Sequence, residues 1–118
     1  MAGKSPTALT LAYLRAEGWP LVQVVEHWNP FARIRVDLFG VFDILAADEK
    51  ATIGVQCTTA SNMSARRRKI EASDAAAEWV KCPGRHIWLI GWKQDAVLRK
   101  DGTKSARRKW EPRIEVIG

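Results

Sequence analysis

The sequence predicts a mixed α/β (α+β) fold: a helix, three strands, a helix and a strand. These form a mixed central sheet flanked by helices, with a basic hairpin on the C-terminal side. Three observations carry this. Short runs of alternating or continuous apolar residues, bounded by Gly, Pro, Asn and Asp, crowd residues 21–57. A stretch with helical spacing and three consecutive arginines follows over residues 62–81. The apolar run His86-Ile87-Trp88-Leu89-Ile90-Gly91-Trp92 comes after it, so a crossover to a parallel neighbour is expected.

Ser5-Pro6 opens the first helix, with Ser as N-cap and Pro in the first turn, and Gly18 closes it. Tyr13 and Arg15 are expected on its surface. Residues 21–28 place Val22, Val24, Glu26 and Trp28 opposite Leu21, Gln23, Val25 and His27. Both faces are largely apolar, so this strand is expected to be well buried. Asn29-Pro30 turns the chain. Residues 32–38 alternate cleanly, Ile34, Val36 and Leu38 against Arg33, Arg35 and Asp37, as in a half-exposed strand with its charges outward. Gly40 marks a bulge or a close backbone approach. Strands over 42–46 and 52–57 follow, joined across Asp48-Glu49-Lys50 as a hairpin.

Ala60-Ser61-Asn62 caps the helical stretch, Ser73-Asp74 is where it can divide, and Cys82-Pro83-Gly84 ends it. Ala65, Ala72, Ala76, Trp79 and Val80 form its expected apolar arc, with Lys69 inside that arc. Trp79 and Trp88 are assigned to the core. Lys100-Asp101-Gly102-Thr103 is a hairpin turn, and Ile114, Val116 and Ile117 suggest a closing strand.

The chain of 118 residues suits one domain, residues 1–118. A net charge of +6 and a pI near 9.8 favour a polyanionic partner. Cys57 and Cys82, even with His27 and His86, match no zinc-ligand spacing, and a reduced, cytoplasmic setting is expected. No apolar run approaches the ~20 residues of a membrane span, and the N-terminus lacks a signal-peptide core. A membrane partner is therefore not expected.

Asp43 sits in an apolar run between Phe42 and Ile44, where an unpaired carboxylate is costly. Either a bound cation or backbone N–H groups would satisfy it. Alternation puts Gln56 and Thr58 on one face of the next strand and Ile53, Val55 and Cys57 on the other, so Asp43 and Gln56 are polar groups on neighbouring strands. Carboxylate, amide oxygen and main-chain carbonyl together suit Mg²⁺ or Mn²⁺. Glu26 is either a further acidic group at that site or an ion-pair partner of Arg33 or Arg35. Arg35 and Asp37 are read as structural or phosphate-facing rather than catalytic, although the Phe39-Gly40 bend could bring Asp37 to the site. Arg66, Arg67 and Arg68 are expected to contact phosphates. So are the residues of the basic hairpin, Arg107, Arg108 and Lys109 among them, with Trp110 interleaved. The same charges would also solvate a helix face or guard an edge strand.

Gly40-Val41-Phe42-Asp43, the turn, a second strand carrying Gln56 two residues before Thr58, and a basic helix resemble the PD-(D/E)XK nuclease superfamily. This is the restriction-endonuclease-like fold, and the chain is most similar to its small phage or prokaryotic resolvase-like members, over about residues 6–92. The resemblance implies a metal-dependent endonuclease that hydrolyses phosphodiester bonds of DNA, including branched, Holliday-junction-like DNA. It further implies Mg²⁺ or Mn²⁺ as cofactor, a homodimer, and a prokaryotic or phage-infected cell as setting.

The family's first carboxylate maps onto Asp43, its second-strand acid onto Gln56 and its lysine onto Thr58. Gln56 keeps a coordinating oxygen, and the Cys57 backbone carbonyl would complete the ligand set. Thr58 supplies no ammonium. Lys69 on the helix is the expected replacement, with Arg66 next; a lysine snorkelling at a helix edge is the plainer alternative. The catalytic set is then Asp43, Gln56, Lys69 and Glu26. The alternative function is a catalytically degenerate nucleic-acid-binding or assembly module with the same fold.

Overall fold

Capping chemistry sets the first element of the computed structural model, which describes residues 5–118. Ser5 Oγ accepts the Ala8 N–H at 3.1 Å, Pro6 occupies the first turn, and α1 (Pro6–Ala16) runs until Gly18 turns with φ +93°. Leu9 and Leu14 are buried, and buried Thr10 Oγ1 accepts the Trp92 indole N–H at 2.8 Å. Tyr13 is half-buried rather than on the surface, packed edge-to-face on Trp92 at 6.1 Å.

Of the four strand-like runs ahead of the helical stretch, three enter the main sheet and one does not. Residues 21–28 do not make one buried strand. They divide into β1 (Leu21–Val24) and β2 (His27–Asn29), because the Val25 and Glu26 N–H groups both turn to the Asp43 carbonyl, at 2.8 and 3.3 Å. β1 lies at the sheet edge with Leu21 exposed. The expected strand over 32–38 shrinks to β3 (Ile34–Val36), which pairs only with β2. Together they form a two-stranded ribbon outside the main sheet, and Ile34 is exposed rather than half-buried.

Next come β4 (Ile44–Ala47) and β5 (Thr52–Thr59), whose turn is tied by Asp48 Oδ1 accepting the Lys50 and Ala51 N–H groups, both at 2.8 Å. A 3-10 turn over Ala60–Asn62 leads into α2 (Met63–Glu71). Ser73 caps α3 (Asp74–Trp79), so the helical stretch does divide there. β6 (Arg85–Leu98) and β7 (Lys104–Val116) form the last hairpin, closed at Gly102 with φ +87°.

The sheet order is β1-β4-β5-β6-β7. Every neighbouring pair is antiparallel except β5 and β6, which run parallel because the two helices cross over between them. The fold is mixed α+β. Leu9 and Leu14 of α1 pack on Ile44, Val55 and Ile90. Met63 and Ile70 of α2 and Trp79 of α3 pack with Phe42 and Leu89 in a second cluster. The helical face is thus phased on Met63, Ile70, Ala76 and Trp79, while Ala65, Ala72 and Val80 are exposed. Gly54 leaves room for the Phe42 ring, since a Cβ there would lie 2.5 Å from Phe42 Cε1. Among the described residues no helix is long and apolar enough to cross a membrane.

Candidate functional site

Asp43 lies at the start of β4, where that strand and β5 begin to part. Its N–H still donates to the Val55 carbonyl at 2.8 Å. Its side chain is 5% exposed. Oδ2 accepts the Gln56 Nε2–H at 2.8 Å, the Cys57 N–H at 2.9 Å and the Cys57 thiol at 3.4 Å. Of the two expected ways of satisfying this carboxylate, the N–H donors are the one observed, and they hold one oxygen while the group faces an acidic neighbourhood.

Two further acids complete that neighbourhood. Glu26 precedes β2 and Asp37 follows β3, so the ribbon's two feet are both carboxylates. Ligand atoms of Glu26, Asp37 and Asp43 lie within 4.8 Å of one another. The Asp37 end is set by the turn after it. Gly40 N–H donates to the Asp37 carbonyl at 2.9 Å, with Phe39 and Gly40 both at positive φ. Glu26 is steadied by Thr7 Oγ1 at 3.2 Å, from the first turn of α1, and by Arg35 at 3.6 Å. The ion pair and the acidic cluster thus coexist at Glu26.

Burial is the main influence that pushes the Asp43 carboxyl up, to about 7. The hydrogen bond and charge of Asp37 and the charge of Glu26 act in the same direction, while the Cys57 N–H opposes them. Burial, with the Asp43 charge next, drives the Cys57 thiol up to about 12, so it stays a protonated donor.

The acids line an open cleft of about 720 Å³ between the start of α1 and α2. Thr58, Arg66 and Lys69 line it too. Lys69 is not buried in a helix arc; it is half-exposed and its Nζ lies 3.7 Å from Asp37 Oδ2. Gln56 is fully buried beneath Asp43, and it offers Asp43 its amide nitrogen instead of the expected oxygen; Oε1 has no partner among the described residues. The Cys57 carbonyl leaves β5 on the same side as its N–H, the Asp43 side, because both point one way from a strand residue.

The arginine run is split. Arg66 faces the cleft and Arg68 is exposed, whereas Arg67 reaches across to β7 and makes a two-pronged ion pair with Glu115. Arg107, Arg108 and Lys109 are exposed on β7, and Lys109 pairs with Glu111 at 2.9 Å. β5 ends at Thr59 opposite Trp92, so the β6–β7 hairpin continues past it as an arm at the end of the sheet where Thr58 meets the cleft. Seven lysines and arginines against three acids lie between Lys93 and Glu111. Trp110 is half-buried against the α1-side core, so it is not free to stack on a ligand.

The sequence under-weights Asp37 and gives no sign of Thr7, whereas Arg35 pairs with Glu26 as one of the two expected partners. The available signal for Asp37 was its position just before the Phe39-Gly40 turn, which folds the chain back toward Asp43. No family model, curated protein or solved structure matches this chain.

Proposed function

We propose that this chain is a divalent-metal-dependent endonuclease of the restriction-endonuclease-like type, hydrolysing phosphodiester bonds of DNA. One observation carries the reading: Glu26, Asp37 and Asp43 converge within 4.8 Å in a cleft that Lys69 and Arg66 also line. Carboxylates this close repel one another and disfavour shared ionisation. Hard oxygen donors at such spacing suit Mg²⁺ or Mn²⁺. The element order supports the reading as well: three antiparallel strands, a helical crossover and a parallel strand follow one another as the resemblance implies, with two short helices in the crossover where one was expected.

Asp43, Asp37 and Glu26 would hold the ion, with the Cys57 carbonyl nearby. The ion would supply Lewis acidity at the scissile phosphate and lower the pKa of a bound water. Gln56 and the Cys57 N–H position Asp43 by fixing its Oδ2. Lys69 presents from the helix the ammonium that Thr58 cannot, where it would offset charge on the phosphate oxygens. Arg66, Arg68 and the basic arm would hold the backbone without reading bases.

The test compares wild type with Asp43→Asn on supercoiled plasmid and on a four-way junction, with Mg²⁺ or Mn²⁺ and with chelator. Metal-dependent cleavage lost in Asp43→Asn is the expected result. Equal cleavage by the two proteins would overturn the metal-site assignment. Thr58 in place of the family's lysine favours a second reading, a binding module that kept the fold. Salt-sensitive DNA binding with no cleavage under any metal would establish that reading instead.

A further inference from the structure

The feet of the β2–β3 ribbon place Glu26 and Asp37 at the cleft, but among the described residues its outer half joins no other strand. An isolated two-stranded hairpin is marginal in water, yet this one carries the most exposed aromatic side chain in the described residues. Phe31 at its tip is 98% exposed, and Trp28 on its shaft is 55% exposed. The tip is pre-shaped: Asn29 Oδ1 accepts the Phe31 and Ala32 N–H groups at 3.0 and 3.1 Å, and Arg33 closes the loop with φ +55°. Phe31 is thus presented to solvent by a tied loop.

Position adds a second argument. Trp28 is paired with Arg35, so the two side chains share one face of the ribbon. Arg35 lines the cleft and touches Glu26, which makes that face the cleft side. An aromatic and cationic track therefore leads from the carboxylates through Arg35 and Trp28 toward Phe31. From the His27–Val36 pair at the base to the tip is about three residues, or about 10 Å. Glu26 and Asp37 lie one residue below that pair, so the tip stands about 13 Å from the acids, or about four nucleotides at a stacked rise of about 3.4 Å each.

Charge narrows the occupant. Above its two acidic feet, Glu26 and Asp37, the ribbon contains Arg33, Arg35 and no acid; Arg35 pairs with Glu26 and Arg33 stands at the tip, within a chain of net charge +6. A second copy docking by the same ribbon would set arginine against arginine. A polyanion with exposed π-faces satisfies both features at once, because unpaired bases stack on aromatic side chains and arginines hold the backbone.

We infer that the β2–β3 ribbon is a stacking finger for unpaired nucleobases, so that the preferred substrate carries a single-stranded stretch beside a duplex. The inference rests on the nuclease reading for its nucleic-acid partner and deepens it to a substrate class. Phe31 and Trp28 are binding residues here and take no part in the chemistry.

The test uses the full chain in chelator, so that binding is read without cleavage. Probes are a blunt duplex and the same duplex bearing an unpaired arm, with a fluorescent adenine analogue in that arm. Wild type is expected to favour the armed probe and to quench the analogue. Phe31→Ala should weaken armed-probe binding about ten- to a hundredfold, the range for loss of one or two stacked bases, and leave blunt-duplex binding unchanged. Phe31→Trp should retain quenching, and Phe31→Leu should lose it, which separates stacking from general apolar burial. Circular dichroism checks that each variant is folded.

Equal wild-type affinity for both probes would overturn the inference. So would unchanged armed-probe binding by Phe31→Ala, or a wild-type dimer that Phe31→Ala dissociates in sedimentation. If wild type cuts no DNA with any metal but Phe31-dependent quenching persists, the nuclease reading falls and the finger stands. If cleavage is metal-dependent but indifferent to Phe31 on every substrate, the reverse holds.

Discussion

Asp43→Asn should make the metal-free protein more stable at neutral and alkaline pH, and less responsive to divalent ions. The wild-type carboxyl titrates near 3.8 in the unfolded chain and is pushed up to about 7 in the fold. Between those values the folded state keeps a proton that the unfolded state has released, so stability falls as pH rises through this window and levels off above it. At 1.36 kcal/mol for each pH unit, the full loss is about 4 kcal/mol. The amide in Asp43→Asn keeps an acceptor for Gln56 and Cys57, carries no charge, and offers an N–H to Asp37. Its advantage should therefore be absent near pH 4 and reach at most about 4 kcal/mol by pH 8. For a chain of 118 residues, about 4 °C in Tm accompanies each kcal/mol, so the gap could reach about 16 °C.

Thermal unfolding by circular dichroism from pH 4 to 8, with and without chelator, reads this directly. Millimolar Mg²⁺ or Mn²⁺ at pH 8 should raise the wild-type Tm and leave that of Asp43→Asn nearly fixed. Parallel curves for the two proteins across the whole pH range would refute the account of burial and acidic neighbours at Asp43.

Other variants test separate parts of the structure. Lys69→Ala should reduce cleavage about 10²- to 10³-fold at saturating metal while DNA binding and Tm change little, because its side chain is half-exposed; unchanged single-turnover cleavage would remove Lys69 from the chemistry. Arg66→Ala should lower the salt slope of DNA binding by about one. Arg67→Ala should leave the slope alone, since Arg67 is spent on Glu115; titrations at several salt concentrations distinguish them. Thr10→Val strands the buried Trp92 N–H and should cost about 1–3 kcal/mol in urea unfolding.

Local chemistry was the most legible part of the sequence. Ser5-Pro6 with Gly18, the Asp48 turn and the Lys100 to Thr103 turn each depend on contacts within a few residues, and each forms where its residues indicate. The ribbon was not legible. Ile34, Val36 and Leu38 alternate like a sheet strand, but period identifies a face and does not say what will cover it. The helix face was misjudged for a related reason. Alanines at helical spacing are compatible with either side, and the larger Met63 and Ile70 side chains decide which side meets the sheet. At the site, Asp43 announced itself by being out of place in an apolar strand. Asp37 stood in an alternation that charged residues satisfy equally well, and its approach to Asp43 depends on a turn with two consecutive left-handed residues.

The parallel pairing of β5 with β6 also has a kinetic consequence. The β4–β5 and β6–β7 hairpins close short loops and can nucleate on their own, each within microseconds. Their seam joins residues about thirty positions apart and forms only when α2 and α3 have bridged the two halves. The late step in folding is then the zippering of two preassembled halves, and a chain caught before it exposes the open flank of β5.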